Sequence, residues 1–397
     1  MQQTPLPTDS FRLPARAARK ERYIYIAVPW SPTGGGMFKV AEYLIRAQAG
    51  KTPGHAAELR PLDTYGPGSA WTSLIALAKA MWMIVRGRFE GGLAGVHVNV
   101  AERLSLFRKS MIVITCSLLR VPVVIHLHAQ MKNFYRSLPG PAQAVVRWIF
   151  SLASTVIVIG SAPRRFVLEE LCVDPRKVEI VINGVPGPAQ APVRGIAADG
   201  IRRVLFVGRL TELKGVLELL EALAQAKIDR NAIEVTLAGN NQVERFRQKA
   251  KDLGIDSFVK FPGWCNQEQI DELMSKSDVL VLPSHDEVLP LVVLEALAYG
   301  VAVVCTPVGE LPMVLSDGEN ARFVPVGDAD KLAAVLEDVL GDDELLLRLG
   351  RNGRTLYEQQ FSLERFFTSV ARVHQRHFGI AGHLPAAETV LADEALQ

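Results

Sequence analysis

Short apolar runs alternate along the chain with longer stretches in which apolar residues recur every three or four positions. The apolar runs predict buried strands at Tyr23–Val28, Val96–Val100, Val123–Leu127, Thr155–Ile159, Val204–Val207, Glu234–Leu237, Val279–Leu282 and Val301–Cys305. The longer stretches predict helices at Phe38–Ala47, Leu74–Val85, Val216–Ala226, Gln242–Leu253, Gln267–Lys276, Leu291–Tyr299, Ala329–Leu340, Asp343–Gln359 and Leu363–Arg376. Continuous apolar strands separated by helices indicate parallel sheets that are covered on both faces. Because the alternation restarts after residue 200, the sequence predicts two doubly wound α/β domains.

A segment rich in proline and glycine separates the two halves. Gly184–Gly195 holds three prolines and three glycines in twelve residues, a composition that opposes both helix and strand. We therefore predict a flexible basic leader at 1–20, a first Rossmann-like domain at 21–187, a linker at 188–200, a second Rossmann-like domain at 201–362, a helix at 363–379 that packs back towards the first domain, and a tail at 380–397.

The charge of the chain is divided unevenly between these halves. The 44 Lys and Arg residues and 42 Asp and Glu residues give a net charge of +2. Residues 1–190 hold 23 basic and 11 acidic residues, a net of +12, and the rest hold 21 and 31, a net of −10. The basic first half points to an anionic partner. Nucleic acid is disfavoured, because the sequence contains no recognised RNA- or DNA-binding module.

Cysteine usage and hydropathy indicate the compartment. Cys116, Cys172, Cys265 and Cys305 are far apart and form no CxxC pattern, which is typical of small apolar side chains in a reducing environment. The N-terminus lacks the apolar core of a secretory signal, and no segment reaches the roughly 20 apolar residues that span a bilayer. We expect a cytoplasmic protein that is soluble or peripheral to a membrane.

Three glycines follow the first predicted strand, within Pro32–Met37. Glycines allow the backbone to approach a ligand closely, and the helix that follows presents its positive end to a phosphate. The spacing is neither GxGxxG nor that of a P-loop, which disfavours a dinucleotide dehydrogenase and a P-loop kinase. An ordinary strand-to-helix turn is the alternative.

Two cations occupy the corresponding position of the second half. Arg209 and Lys214 follow a strand and precede a helix, and they are framed by Gly208 and Gly215. An arginine can hold a diphosphate in a bidentate way and a lysine can act as a point charge. A solvated basic pair is the alternative.

Two glutamates follow another predicted strand, one in the loop and one in the next helix. Glu287 is in the loop after Val279–Leu282, and Glu295 is in a helix whose other residues are nearly all apolar. Such a helix is buried, and a buried carboxylate needs partners, for which sugar hydroxyls are suitable donors. For Glu295, a structural salt bridge or a helix cap is the alternative.

Together these motifs resemble the donor-binding half of the family 4 retaining glycosyltransferases. The resemblance rests on Gly208-Arg209, Lys214-Gly215, Gly263-Trp264, Asp278–Ser284 and Glu287-x7-Glu295, and more loosely on Gly34–Gly36, His126-Leu-His128 and Val181–Val185. It implies a GT-B architecture, in which two Rossmann-like domains face each other across a cleft that binds a sugar nucleotide without a bound metal or other cofactor.

The resemblance also implies roles for the matching residues of the second domain. Arg209 and Lys214, beside Gly208, would neutralise the diphosphate as it leaves. Glu295 would bind the ribose, and Glu287 would contact hydroxyls of the donor sugar. Backbone N–H groups around Leu289–Leu291, a segment that includes Pro290, would cap the phosphates or the sugar.

In the first domain, Gly35 and Gly36 would let the backbone close on the diphosphate, and His128 would approach the donor sugar. Val288 stands where the family usually has glycine, and Ala129 stands where bacterial members often do, which affects the expected sugar selectivity more than the reaction. His126 and His128 share one face of a strand, so a metal site is an alternative there, although no carboxylate lies at a ligand spacing.

The resemblance implies transfer of a hexose from a GDP- or UDP-linked donor, such as GDP-mannose, to a saccharide acceptor linked to a lipid diphosphate, as in bacterial polysaccharide assembly. A sugar-nucleotide epimerase, a glycan phosphorylase and a non-catalytic nucleotide-binding subunit remain as alternatives. The sequence does not assign the sugar, the base or the acceptor.

A segment of the first domain combines aromatic and basic residues. Trp71, Trp82, Arg86 and Arg88 lie close together in one predicted helical region. Such a helix can rest on anionic lipid at the inner face of the plasma membrane. A buried helix with solvated ends fits the pattern equally well.

Overall fold

The computed structural model describes residues 21–30, 35–48, 56–67, 69–190 and 199–382, together with Pro192 and Gly195. The leader predicted at 1–20, part of the linker predicted at 188–200 and the part of the predicted tail beyond residue 382 lie outside these ranges.

Six parallel strands form the first sheet, in the order β2-β1-β3-β4-β5-β6. The strands are β1 (Tyr23–Val28), β2 (Glu58–Asp63), β3 (Leu93–Val100), β4 (Val123–Leu127), β5 (Thr155–Val158) and β6 (Val178–Ile180). The helices of this half are α1 (Gly36–Arg46), α2 (Ala70–Glu90), α3 (Leu104–Leu118), α4 (Lys132–Ser137), α5 (Gly140–Ser151) and α6 (Ser161–Glu169). The central strands are buried on both faces, which explains their continuous apolar sequences.

A second sheet of six parallel strands has the order β12-β11-β10-β7-β8-β9. Its strands are β7 (Arg202–Val207), β8 (Ile233–Ala238), β9 (Val259–Gly263), β10 (Val279–Leu282), β11 (Ala302–Cys305) and β12 (Arg322–Phe323). The helices that follow β7 are α7 (Val216–Gln225), α8 (Val243–Asp252), α9 (Gln267–Lys276), α10 (Leu291–Ala298), α11 (Leu311–Val314), α12 (Ala329–Gly341), α13 (Asp343–Leu356) and α14 (Leu363–Phe378).

The fold prediction is confirmed: two doubly wound α/β sheets are present, and every predicted strand appears within three residues of its expected bounds. In both sheets the strand order reverses beside the first strand, between β1 and β3 and between β7 and β10. Ligands of open parallel sheets bind at the carboxyl ends of strands next to such a reversal. The topology therefore places the candidate site at the loops that follow β1, β7 and β10.

The last helix, α14, packs on the first sheet although it follows the second sheet in the sequence. Phe366 and Val370 lie in one apolar cluster with Ile24 and Ile26 of β1. Near the end of the helix, Gly95 provides the room for a close contact, because a Cβ atom there would lie 2.3 Å from the ring of Phe378. The two halves are therefore joined by the packing of this helix as well as by the linker.

Among the helices that the structure describes, none combines the length and apolar character needed to cross a bilayer.

A chain of three buried histidines also holds α14 to the first sheet. The ring of His97 in β3 hydrogen-bonds to His374 of α14 at 2.9 Å and to His126 of β4 at 3.1 Å, and all three side chains are fully buried. Burial lowers the pKa of His97 to about 3 and lowers the pKa values of His126 and His374 as well. The three rings are therefore neutral in the folded protein at physiological pH.

This chain predicts a loss of stability in mild acid. Below about pH 6.5 the unfolded chain binds protons on these histidines and the folded protein does not, so lowering the pH favours unfolding. Between pH 7.5 and 5.5 the three groups together should lower the free energy of unfolding by on the order of 4 kcal/mol. Urea denaturation followed by tryptophan fluorescence measures this, since four of the five tryptophans precede residue 190. His374→Phe should remove about a third of the contribution of these three histidines; an equal stability at both pH values in the wild type contradicts the prediction.

Candidate functional site

A cavity of about 360 Å³ lies between the two sheets and is lined by both halves of the chain. The first half contributes residues from the loops after β1, β3 and β4: Gly35, Gly36, Met37, Lys39, Ala101 and His128, with Ile159 and Asn183. The second half contributes Val207, Lys214, Leu282, Glu287, Val288, Leu289, Pro290, Leu291, Val292 and Glu295. The cavity therefore lies where the topology places it, at the carboxyl ends of β1, β7 and β10.

Lys214 and Glu287 form an ion pair in the wall of this cavity. The pair joins the loop after β7 to the loop after β10, and both side chains are largely buried, with 19% and 12% of their surface exposed. The hydroxyl of Ser284, itself fully buried, donates a hydrogen bond of 3.0 Å to the same oxygen of Glu287. One cation and one carboxylate are thus held in fixed positions facing the cavity.

Gly215 sets the position of Lys214. It ends the short helical turn Glu212–Lys214 with φ +71°, a conformation that side chains rarely adopt. A Cβ atom at Gly215 would lie 2.0 Å from the carbonyl oxygen of Pro283. Only glycine lets the turn pack directly against the end of β10, which is the packing that brings Lys214 beside Glu287.

Glu295 faces the cavity from α10, where the surrounding apolar residues bury it. Its side chain is 4% exposed and forms an ion pair of 3.1 Å with Nζ of Lys39, which is 34% exposed. Lys39 belongs to α1 of the first half, so this pair crosses the cleft. The salt bridge that was an alternative for Glu295 is present, and its partner lies in the other half of the chain.

Helix α10 begins at the cavity. Leu289, Pro290 and Leu291 all line it, and the helix starts at Leu291 directly after Pro290. The first N–H groups of a helix have no partner inside the helix and carry a partial positive charge. The end of α10 therefore offers main-chain donors to an anion in the cavity.

In the first half, Gly36 lies against the side chain of Leu291: a Cβ atom on Gly36 would be 3.4 Å from that side chain. A Cβ atom on Gly35 would meet no other atom within 4 Å. His128 lies across the cavity, with Nε2 2.8 Å from Oδ1 of Asn99. The amide nitrogen of Asn99 donates to the carbonyl oxygen of Ala27, so its oxygen is the acceptor and His128 carries its proton on Nε2. Burial lowers the pKa of His128 to about 3, which leaves a neutral ring whose Nδ1 can accept a hydrogen bond.

Most of the predicted site residues line the cavity, but Arg209 and Gly208 do not. Arg209 is exposed, and its guanidinium contacts no partner among the residues that the structure describes. Arg209 follows Val207 and Gly208. The carbonyl oxygen of Gly208 lies so close to the end of β8 that a Cβ atom on Gly239 would be 1.7 Å from this oxygen. The backbone of this loop is therefore fixed next to the cavity, while Arg209 is exposed and is not part of the lining.

Sequence reasoning did not single out three residues that join the two halves at the cleft. Besides Lys39, Gln130 donates a hydrogen bond from Nε2 to the carbonyl oxygen of Glu287. Glu310, which is 2% exposed, accepts hydrogen bonds from the N–H groups of Ser161 and Ala162 at 2.8 and 2.7 Å. The only sequence signal for Lys39 was its place one helical turn after the glycines.

Residues 195–356 match the family described as Glycosyl transferases group 1. This part of the chain is therefore similar to the group 1 glycosyl transferases. It contains Arg209, Lys214, Glu287 and Glu295, and the predicted resemblance to family 4 glycosyltransferases is thereby confirmed.

Relatives of the chain, all matched over part of their length, include several bacterial sugar transferases. The MMP alpha-(1->4)-mannosyltransferase of Mycolicibacterium hassiacum is 29% identical over 56% of this chain and 54% of that protein. The phosphatidyl-myo-inositol mannosyltransferase of Mycolicibacterium smegmatis is 36% identical over 48% and 49%, and the lipopolysaccharide core biosynthesis glycosyltransferase LpsE of Rhizobium meliloti is 33% identical over 45% and 48%. The chain spans about half to two thirds of the length of these and similar curated relatives.

Solved structures share the whole fold. HepE from Anabaena in complex with UDP and glucose superposes with a TM-score of 0.70, at 18% identity, over 90% of this chain and all of that chain. WaaG, a glycosyltransferase involved in lipopolysaccharide biosynthesis, superposes with a TM-score of 0.62 at 16% identity over 90% of this chain and all of that one. The predicted GT-B architecture is confirmed by these similarities and by the two facing sheets.

Nothing in the described part of the chain groups three or more His, Cys, Asp or Glu side chains in a way that could hold a metal ion. His126, for which a metal site was an alternative, is instead hydrogen-bonded to His97. A metal-independent reaction remains a prediction of the resemblance.

We predict that Gly215→Ala disturbs the site more than the backbone strain alone would do. Gly254 has a similar φ of +66° but open space around the missing Cβ, so Gly254→Ala is a matched control in the same domain. The control should cost about 1–2 kcal/mol of stability, and Gly215→Ala should cost more and lower the turnover of a nucleotide-sugar substrate. Urea denaturation and initial rates measure the two effects. Equal losses in both variants would show that the contact with Pro283 does not hold Lys214 in place.

Proposed function

We propose that this chain is a retaining, metal-independent hexosyltransferase. It transfers a hexose from a GDP- or UDP-linked donor to a saccharide acceptor carried on a lipid diphosphate, in bacterial polysaccharide or glycolipid synthesis. The observation that carries the proposal is the cavity between the domains, where Lys214, Glu287, Glu295 and the start of α10 converge. The group 1 domain and the names of the relatives, which include mannosyltransferases and a lipopolysaccharide core transferase, support the sugar and the class of acceptor.

The residues of the cavity suit the departure of a diphosphate. As the bond between the anomeric carbon and the phosphate oxygen breaks, negative charge grows on that oxygen and positive charge on the sugar ring. Lys214 and the first N–H groups of α10 lie in the cavity wall, where they stabilise the leaving phosphate. Glu287 accepts hydrogen bonds from sugar hydroxyls, and the neutral His128 accepts another at Nδ1.

The carboxylates near the cavity favour attack on the same face from which the phosphate leaves. Double displacement requires a nucleophilic carboxylate at the opposite face of the sugar. No carboxylate is among the described residues of the first half that line the cavity, and Glu42 of α1 is paired with Arg46 instead. In the mechanism we propose, the acceptor oxygen bonds to the anomeric carbon as the phosphate departs, and the acceptor proton passes to the phosphate oxygen.

A screen for the donor tests this function directly. A ligand that binds only the folded protein raises its melting temperature, and a ligand at 100 times its Kd contributes about 2.7 kcal/mol. Thermal melting with UDP, GDP and ADP identifies the base, and incubation with the corresponding hexose donors and an acceptor gives the product. Turnover to a glycoside removes the epimerase and the non-catalytic subunit as alternatives. If none of the three nucleotides shifts the melting temperature, the proposed function is wrong.

Lys214→Ala should lower kcat by roughly 100- to 1,000-fold, because it removes a fixed cation from the leaving phosphate. Lys276→Ala is the control: Lys276 also pairs with a glutamate in the same domain, but it is 62% exposed and remote from the cavity lining. The control should keep normal turnover, and both variants should melt cooperatively. Near-normal turnover of Lys214→Ala contradicts the phosphate role.

The acceptor side of the proposal rests on an exposed apolar face of the first half. Helices α2, α3 and α5 pack side by side, and their outward residues include Trp71 (74% exposed), Phe107 (59%) and Trp148 (50%). Arg86 lies over the ring of Trp82, which is also exposed. The tryptophans of α2 are therefore not buried, and basic side chains mixed with exposed aromatic rings are what a helix on an anionic lipid surface requires. We propose that this face rests on the membrane that carries the acceptor.

The double variant Trp71→Ser with Trp82→Ser should reduce binding to vesicles that contain anionic lipid, because it removes the aromatic anchors of α2. Trp264→Ser provides the control, since Trp264 is 57% exposed but belongs to the second half. Flotation with phosphatidylglycerol vesicles measures the bound fraction, at low and high salt. A wild-type protein that stays unbound at low salt overturns the membrane proposal and leaves the donor site untouched.

A further inference from the structure

Two lysines and two glutamates face each other in the cavity, and each lysine is paired with one glutamate. Lys214 pairs with Glu287 inside the second half, and Lys39 pairs with Glu295 across the cleft. All four side chains line the cavity. Only the Lys214 pair lies within the motifs that predicted the donor site; Lys39 belongs to none of them.

A donor brings negative charge to a site in which the charges of the two pairs cancel. A nucleoside diphosphate carries about two to three negative charges at neutral pH, and the four side chains sum to zero. The charges balance best if each lysine gives N–H donors to phosphate while its glutamate accepts hydrogen bonds from hydroxyls. For Glu295 such an exchange is required, since its side chain is 4% exposed and a buried carboxylate that loses its partner is costly.

Lys39 is placed for this exchange. It lies in the first turns of α1, just after Gly35 and Gly36, where the amino end of the helix also favours a phosphate. Its ammonium makes one hydrogen bond to Glu295 among the described residues, and its side chain is 34% exposed, so two of its three N–H groups are available to a ligand.

A hydroxyl without a partner among the described residues lies near Glu295, behind the cavity wall. Tyr43 lies one helical turn after Lys39, on the same face of α1, and its buried hydroxyl has no hydrogen-bond partner among the described residues. Burial raises the pKa of Tyr43, and the nearby carboxylate of Glu295 adds to the effect. The phenol is therefore neutral and keeps its proton for a hydrogen bond.

We propose that Lys39 is a phosphate-binding residue that the first domain contributes to the donor site. It is held by Glu295 before binding and moves to the diphosphate when the ribose hydroxyls take its place on the carboxylate. This rests on the proposed function, since it assumes a nucleoside diphosphate in the cavity. Because Lys39 and Glu295 lie in different halves of the chain, the exchange links recognition of the ribose to the grip of the first domain on the phosphates.

Comparing each nucleotide with its own nucleoside isolates the phosphate contact. The experiment measures the affinities of UDP, GDP and ADP and of uridine, guanosine and adenosine by calorimetry, for the wild type and for Lys39→Met, which keeps the apolar stem of the side chain. The variant should bind the preferred nucleoside diphosphate about 10- to 100-fold more weakly. Its affinity for the nucleoside should stay within about threefold of the wild type or improve, since no ion pair has to be broken.

Two further variants serve as controls. Lys39→Arg keeps the charge and should restore most of the preference for the diphosphate. Arg46→Ala removes one charge from the far end of α1, where Arg46 is 78% exposed, and should change neither affinity by more than about threefold.

The outcomes separate the inference from the function. An equal loss of nucleoside and diphosphate affinity in Lys39→Met, or no loss in either, overturns the phosphate role of Lys39 while the donor site stands. A wild type that binds none of the six compounds overturns the proposed function, and the inference with it. A selective loss of diphosphate affinity that Lys39→Arg restores supports the inference.

Discussion

The requirement that buried charge be neutralised governs the cleft between the two sheets. The strands that lead into it are apolar, so each buried charged side chain at their carboxyl ends must find a partner in the protein or in a ligand. Glu287 and Glu295 meet this requirement through Lys214 and Lys39. The partners are lysines, whose flexible stems can turn to another acceptor, and this is what makes the cavity suitable for an anionic substrate as well as stable without one.

The apolar runs in the sequence predicted the central strands of each sheet but not the edge strands. The strands that the apolar runs missed are β2 and β6, at the edges of the first sheet, and β9 and β12, at the edges of the second. An edge strand is solvated on one side, so its sequence carries polar residues, such as Glu58 and Arg60 in β2, and loses the continuous apolar signal. The strands next to the cleft are central, which is why the candidate site could be placed from sequence while the extent of the sheets could not.

Contacts between residues far apart in the sequence could not be predicted, for a different reason. Lys39 and Glu295 are 256 residues apart, His97 and His374 are 277 apart, and Ser161 and Glu310 are 149 apart. No periodicity connects positions at such distances, and a lone lysine or glutamate in an amphipathic helix is usually a solvated one. The division of charge between the halves, +12 and −10, pointed to an anionic partner for the first half and did not indicate which residues would meet.

The Glu310 contact limits where an anion can bind. Three helices, α1, α6 and α10, begin at the boundary between the halves, and the amino end of each attracts negative charge. At α6 the carboxylate of Glu310 already accepts from Ser161 and Ala162, and Gly160 leaves room for it, since a Cβ atom there would lie 2.2 Å from that carboxylate. A carboxylate of the protein itself thus occupies the amino end of α6. The amino ends of α1 and α10, beside Lys39 and Lys214, remain available to the phosphates of a substrate.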